Sequence, residues 1–228
     1  VDTSAAQTLS GVISGTGALT KSSTGTLTLS GTNTYTGGTT LNAGTLIVSG
    51  NEAIGTGTLT LAGGTLRTDS TASTINEAIV VSGTTAVFRG SAGLTLSGDI
   101  SGAGTLNFGG SGSGQANGWF SVMDNLDGFT GTISFEAAGS GNSLLLGGAV
   151  NTAAKLELSG VTNGTYIGLQ SANKTFGELS GTGGRIRAWN KTLTINQSTD
   201  TTFAGVLEDI NGNNELGFTK GGTGSLTF

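Results

Sequence analysis

The stretch Thr24-Gly25-Thr26-Leu27-Thr28-Leu29-Ser30-Gly31-Thr32-Asn33-Thr34-Tyr35-Thr36-Gly37-Gly38-Thr39-Thr40-Leu41-Asn42-Ala43-Gly44-Thr45-Leu46 carries the reading of the fold. Successive side chains of a strand point to opposite faces. Thr26-Leu27-Thr28-Leu29 therefore sends both leucines to one side and both threonine hydroxyls to the other. A β-sandwich uses the same alternation and is the competing architecture. Three features favour a coil. The apolar runs are short enough for the narrow walls of a helical cross-section. Gly recurs where a corner must turn, because it reaches positive φ without steric cost. Similar phrases also return along the chain, and stacking similar rungs lays like residue on like.

Working outward, those phrases can be traced. Leu9-Ser10-Gly11-Val12-Ile13-Ser14-Gly15 returns as Leu96-Ser97-Gly98-Asp99-Ile100-Ser101-Gly102, and in shortened form as Phe176-Gly177-Glu178-Leu179-Ser180-Gly181 and Phe203-Ala204-Gly205-Val206-Leu207. Leu19-Thr20-Lys21 leads into Thr24 to Leu29, as Phe218-Thr219-Lys220 leads into Thr223 to Phe228. Asn33-Thr34-Tyr35-Thr36-Gly37 echoes in Asp127-Gly128-Phe129-Thr130-Gly131. Between them lie alternating runs such as Thr58-Leu59-Thr60-Leu61 and Thr192-Leu193-Thr194-Ile195, a strand signature. Apolar spacing at three and four residues is nowhere sustained, so no helix is expected.

Composition narrows the function classes. The 228 residues include 43 Gly and 39 Thr but no Pro, Cys or His. Gly at this level raises disorder, yet only 23 residues are charged and mean hydropathy is slightly positive, the opposite of a disordered chain. A net charge of −5 with nine scattered cations gives no footprint for nucleic acid. No apolar run reaches the ~20 residues of a membrane-spanning helix. Without Cys there is neither a disulfide framework nor a thiolate metal site.

The stretch quoted above resembles the autotransporter-associated β-strand repeat of type V secretion passenger domains, closely over residues 21–48, with a second copy beginning at Lys220. Residues 86–215 match only in scattered phrases. The resemblance implies a right-handed parallel β-helix, exported through an outer-membrane barrel and displayed on a bacterial cell surface. It brings no catalytic residues. The expectation is thus an all-β, right-handed solenoid of roughly 10–12 rungs at ~20 residues each without caps, forming one β-helical segment over residues 1–228.

Candidate chemistry is sparse. Zinc and nucleophile–histidine sites need imidazole or thiolate, and Gly15-Thr16-Gly17 lacks the Gly-Lys-Ser/Thr entry of a phosphate loop. Asp124 with Asp127, and Glu208 with Asp209, are carboxylate pairs of the kind glycosidases use, but they lie in polar sequence where such residues cap turns. No catalytic, cofactor-binding or metal-binding residue is assigned. A Gly-rich aromatic loop at about 107–125 places Trp119, Phe120 and Met123 as candidate contact residues, because aromatics anchor interfaces; the plainer reading folds them over the coil. Arg187 is expected to lie along the Trp189 indole.

These features read as a non-catalytic structural or adhesive stalk or fibre segment of an extracellular surface protein, contacting a cell-surface or matrix ligand. An ice-binding face built on Thr26/Thr28 and Thr58/Thr60, or a carbohydrate-active β-helix, is the alternative. The two ends share a register: Leu19 to Leu29 correspond to Phe218 to Phe228. The segment is therefore expected to continue into further β-helical repeats, in the same chain or end to end with copies of itself.

Overall fold

A computed structural model describes residues 4–88, 93–109, 118–122, 125–136, 142–159, 166–209 and 216–228. Every strand pairing among them is parallel. The largest sheet stacks nine strands in chain order: Gln7–Leu9, Thr26–Leu29, Thr45–Val48, Thr65–Thr68, Thr84–Phe88, Thr105–Phe108, Thr132–Glu136, Lys155–Ser159 and Glu178–Gly181. A six-stranded sheet from Leu19–Lys21 to Gly128–Phe129 forms a second wall, and a seven-stranded sheet from Ser73–Ile75 to Val206–Asp209 a third. The bridge Leu126↔Val150 carries the second wall toward the three-stranded sheet of Lys174–Phe176, Thr192–Asn196 and Gly217–Gly221. A chain that visits each wall once per turn and pairs only with the turns beside it is a β-solenoid.

The coil begins with a looser third side. There Thr34 and Thr36 donate to the carbonyls of Ile13 and Gly15 at 2.8 and 3.0 Å, and Thr56 donates to that of Tyr35 at 3.0 Å, without regular strands. From Ser73 onward this side becomes the seven-stranded wall.

Turns number about nine, fewer than the 10–12 expected, and the reason is coil length. Gln7 pairs with Leu27 and Thr26 with Thr45, close to the assumed twenty residues. Thr105, however, pairs with Thr132, and Thr132 with Lys155. The later coils are longer, so the same chain makes fewer of them. At ~4.8 Å per turn the stack rises roughly 40 Å.

Alternation makes the core. Leu27, Leu46, Leu66, Val87, Phe108, Phe135 and Leu158 follow one another in register along the largest sheet, all buried. A second inward line changes sides. In the early coils it lies two residues later, at Leu29 and Val48; in the later coils it lies two residues earlier, at Leu106, Ile133, Leu156 and Leu179. At the crossover both positions are buried threonines, Thr68 and Thr85, and the Thr85 hydroxyl donates to the Gly63 carbonyl at 3.3 Å. A hydroxyl is tolerated there because it finds a corner carbonyl.

Other polar groups inside the coil are satisfied in the same way. Asn33 accepts from the Ile13 amide at 2.8 Å and donates to the Ala53 carbonyl at 2.5 Å, tying three coils together. Tyr35 lies between Gly15 and Gly55 in the neighbouring coils, and a Cβ on Gly55 would sit 2.8 Å from its ring. Thr39 donates to the Ile54 carbonyl at 2.9 Å, which leaves Thr39 Oγ1 to accept from the Tyr35 hydroxyl at 2.5 Å. Burial raises the Tyr35 pKa; the Thr39 bond opposes this and the Glu77 charge adds to it.

Two lysines also point inward. Lys21 stands in register with Leu41, and its ammonium donates to the carbonyls of Ser23 and Ala43. Lys174 stands in register with Leu193 and donates to the carbonyls of Gly147 and Gln170, both at 3.0 Å.

Candidate contact surface

Outward positions on the walls are mostly small and polar. Thr20, Thr40 and Thr60 stack in one file, followed by Val80 and Ser101. On the largest sheet the pair Thr26/Thr28 is followed by Thr45/Ile47 and then Thr65/Arg67. The two-wide threonine array of an ice-binding face is therefore not maintained from coil to coil.

Within the expected aromatic loop at about 107–125, Gly118–Val122 is strand. Trp119 and Phe120 belong to the strand Gly118–Val122 of the seven-stranded wall, where Phe120 is in register with Leu94 and Leu144, and Trp119 with Ser143. Gly-rich sequence just before them suggested a loop, but Phe120 to Val122 pair on both sides as wall and Trp119 pairs on one. Met123 lies outside the described residues, as does Asp124. Asp127 is exposed, and its amide donates to Asn125 Oδ1 at 2.9 Å, so the side chain that caps this turn is Asn125.

A different group of residues comes together on the same wall. Tyr166–Leu169, Arg185–Ala188 and Val206–Asp209 are adjacent strands, and Gly168 pairs with Arg187, which pairs with Glu208. Period-two alternation turns Ile167, Ile186 and Leu169 inward and leaves Tyr166, Arg185, Arg187 and Glu208 outward. Arg185 Nη1 donates to Glu208 Oε2 at 2.9 Å and Oε1 at 3.1 Å, and Arg187 Nε donates to Oε1 at 2.5 Å. One carboxylate thus orients two guanidinium groups. Partial burial pulls the Glu208 pKa up, but the bonds and charges of Arg187 and Arg185 outweigh it and hold the pKa below the usual range.

The guanidinium of Arg187 lies 4.5 Å from the centre of the Tyr166 ring, not along Trp189 as expected. The indole instead meets Tyr166 edge-on, with ring centres 6.4 Å apart at 64°. The reason is Gly168: a Cβ there would lie 2.7 Å from Leu145 and 3.0 Å from the indole, so its bare backbone is the space into which both close. Behind Trp189 the chain turns through Asn190 at φ 53°, and one coil earlier Ser171 turns at φ 63°. Non-glycine residues in this region cost of order 1–3 kcal/mol and concentrate where structure over-determines them.

Little of this cluster was legible beforehand. Trp189 and Arg187 are neighbours in sequence, but Tyr166 and Glu208 reach them only through coil register. The available signal was Arg185-Ile186-Arg187 alternating beside a Trp, followed about one coil later by Val206-Leu207-Glu208.

Comparison with known proteins agrees with the coil. Residues 19–48 match the family described as passenger-associated-transport-repeat. They take in the strands Leu19–Lys21, Thr26–Leu29, Thr39–Leu41 and Thr45–Val48. The chain is 31% identical to the adhesin BmaC autotransporter of Brucella suis biovar 1 (strain 1330), over an alignment of 135 residues that covers 52% of the chain. That alignment covers 4% of the adhesin, so the chain spans a small fraction of its relative. No solved structure matches. Residues 19–48 thus match a passenger-associated-transport-repeat and fold here as neighbouring coils of a parallel β-solenoid.

Proposed function

We propose that the chain is a non-catalytic structural segment of an autotransporter-like adhesin, held outside the cell as part of a β-helical stalk. The observation carrying this reading is the continuous inward ladder from Leu27 to Leu158. Each coil is completed by the coil beside it, so the fold can grow progressively as a chain emerges from a narrow pore. Such a rod supplies reach and bears surface contacts.

Surface display tests it. Leu27 is fully buried and Thr28 faces outward. Leu27→Asp places an unpaired charge in the core and should reduce the passenger exposed to external protease on intact cells severalfold. Thr28→Asp should display normally. Equal display of both variants would show that coil stacking is not what carries the segment to the surface.

A further inference from the structure

We propose that Trp189 and Arg187 form a binding site for acidic saccharides, with the indole as platform for a pyranose ring and the guanidinium as the partner of its carboxylate. Three consecutive strands of this wall bring Tyr166, Arg185, Arg187 and Glu208 together, with Trp189 against the Tyr166 ring.

The groups are pre-positioned. Arg187 spends Nε on Glu208 and its flat face on Tyr166. Its terminal nitrogens have no hydrogen-bond partner among the described residues, and 27% of the side chain is open to solvent. A guanidinium held in one plane loses little freedom when it takes a carboxylate in two parallel bonds. The indole is partly exposed and fixed by Gly168 beneath it, Tyr166 at its edge and the left-handed Asn190 behind it.

Charge selects the ligand. Arg185 and Arg187 share the single carboxylate of Glu208, so these three side chains carry one net positive charge on a chain whose total is −5. An anion fits this locally cationic spot, but one surplus charge is too few for a nucleic-acid backbone. An acidic peptide supplies the carboxylate without a rigid apolar ring face for the indole. A uronic-acid unit carries both: axial C–H groups to lie against an aromatic face and a carboxylate at the ring edge.

Calorimetric titration of the whole chain would decide this, with three probes of equal length: an oligogalacturonate, its carboxyl-reduced neutral counterpart and an oligoglutamate. The oligogalacturonate should bind at least tenfold tighter than either of the others. Arg187→Lys, which keeps the charge and loses the fork, should lose at least tenfold in affinity, and Trp189→Ala should lose at least as much. Thermal melts of both variants exclude unfolding as the cause, and Thr194→Ala on another wall should bind as the parent does. Equal binding of the reduced oligomer, equal or better binding of oligoglutamate, unchanged binding by Arg187→Lys, or no binding at millimolar ligand would each overturn the proposal. In the last case the cluster is a brace between coils. None of these results bears on the stalk reading, which stands on the display of Leu27 variants.

Discussion

Lys174 is an ammonium group in an apolar ladder whose hydrogen-bond partners are neutral carbonyls. Burial lowers its pKa to about 8, and the charge of Lys191 acts in the same direction. The folded protein therefore releases this proton more readily than the unfolded chain does, whose lysine titrates near 10.4. Between those values the unfolded state binds more protons, so stability rises with pH. The Tyr35 hydroxyl, with its raised pKa, works oppositely above pH 10. The thermal midpoint should therefore climb from pH 8 to 9.5 in the parent and stay flatter in Lys174→Met; parallel curves would refute the assignment. Glycines make a second residue-scale contrast. Gly55 has φ 72° and a Cβ there would press on Tyr35, whereas a Cβ on Gly17 meets nothing within 4 Å. Gly55→Ala should cost roughly 1–3 kcal/mol and Gly17→Ala close to nothing, measured by denaturant melts. The inward leucines were legible from alternation alone. The inward lysines were not, because alternation marks a position as facing inward but does not reveal which carbonyls a corner offers to an ammonium group.

At the scale of elements, each strand is three to five residues of wall, with few shorter, and gains its stability from the strands above and below. Ile133 stands on an interior strand of the largest sheet, between Leu106 and Leu156, and is 1% exposed. Ile133→Ala should cost about 2–5 kcal/mol. Hydrogen exchange should speed up most in Thr105–Phe108 and Lys155–Ser159, the strands that sandwich it; a uniform loss of protection along the chain would contradict this nearest-neighbour picture. Strand positions near Thr26, Leu59 and Thr192 were legible from period two. The strand Gly118–Val122 was not, because Gly-rich sequence before it outweighed a short aromatic alternation. The Tyr166–Arg187–Glu208 grouping is a product of register between coils of unequal length, which no local pattern encodes.

For the molecule as a whole, charge is a minor contributor. Only 23 of 228 residues are ionisable as Lys, Arg, Asp or Glu, and the ion pairs among the described residues, Lys155 with Glu178 and Arg185 and Arg187 with Glu208, lie on outward faces of the walls. Pairs that remain open to solvent contribute on the order of 1 kcal/mol each and are screened by salt. The thermal midpoint should therefore change by less than about 5 °C between 20 mM and 0.5 M NaCl; a larger fall would mean that electrostatics holds the coils together. The coil architecture followed from recurring phrases and short alternating runs, but the number of turns did not, since the later coils are longer than the early ones. The chain order of the nine stacked strands has a genetic corollary. Spatial neighbours are always the preceding and following units of the message, so an in-frame duplication or loss of whole units by unequal recombination rejoins surfaces that already fit. Rod length can thus drift between lineages without any new interface having to arise.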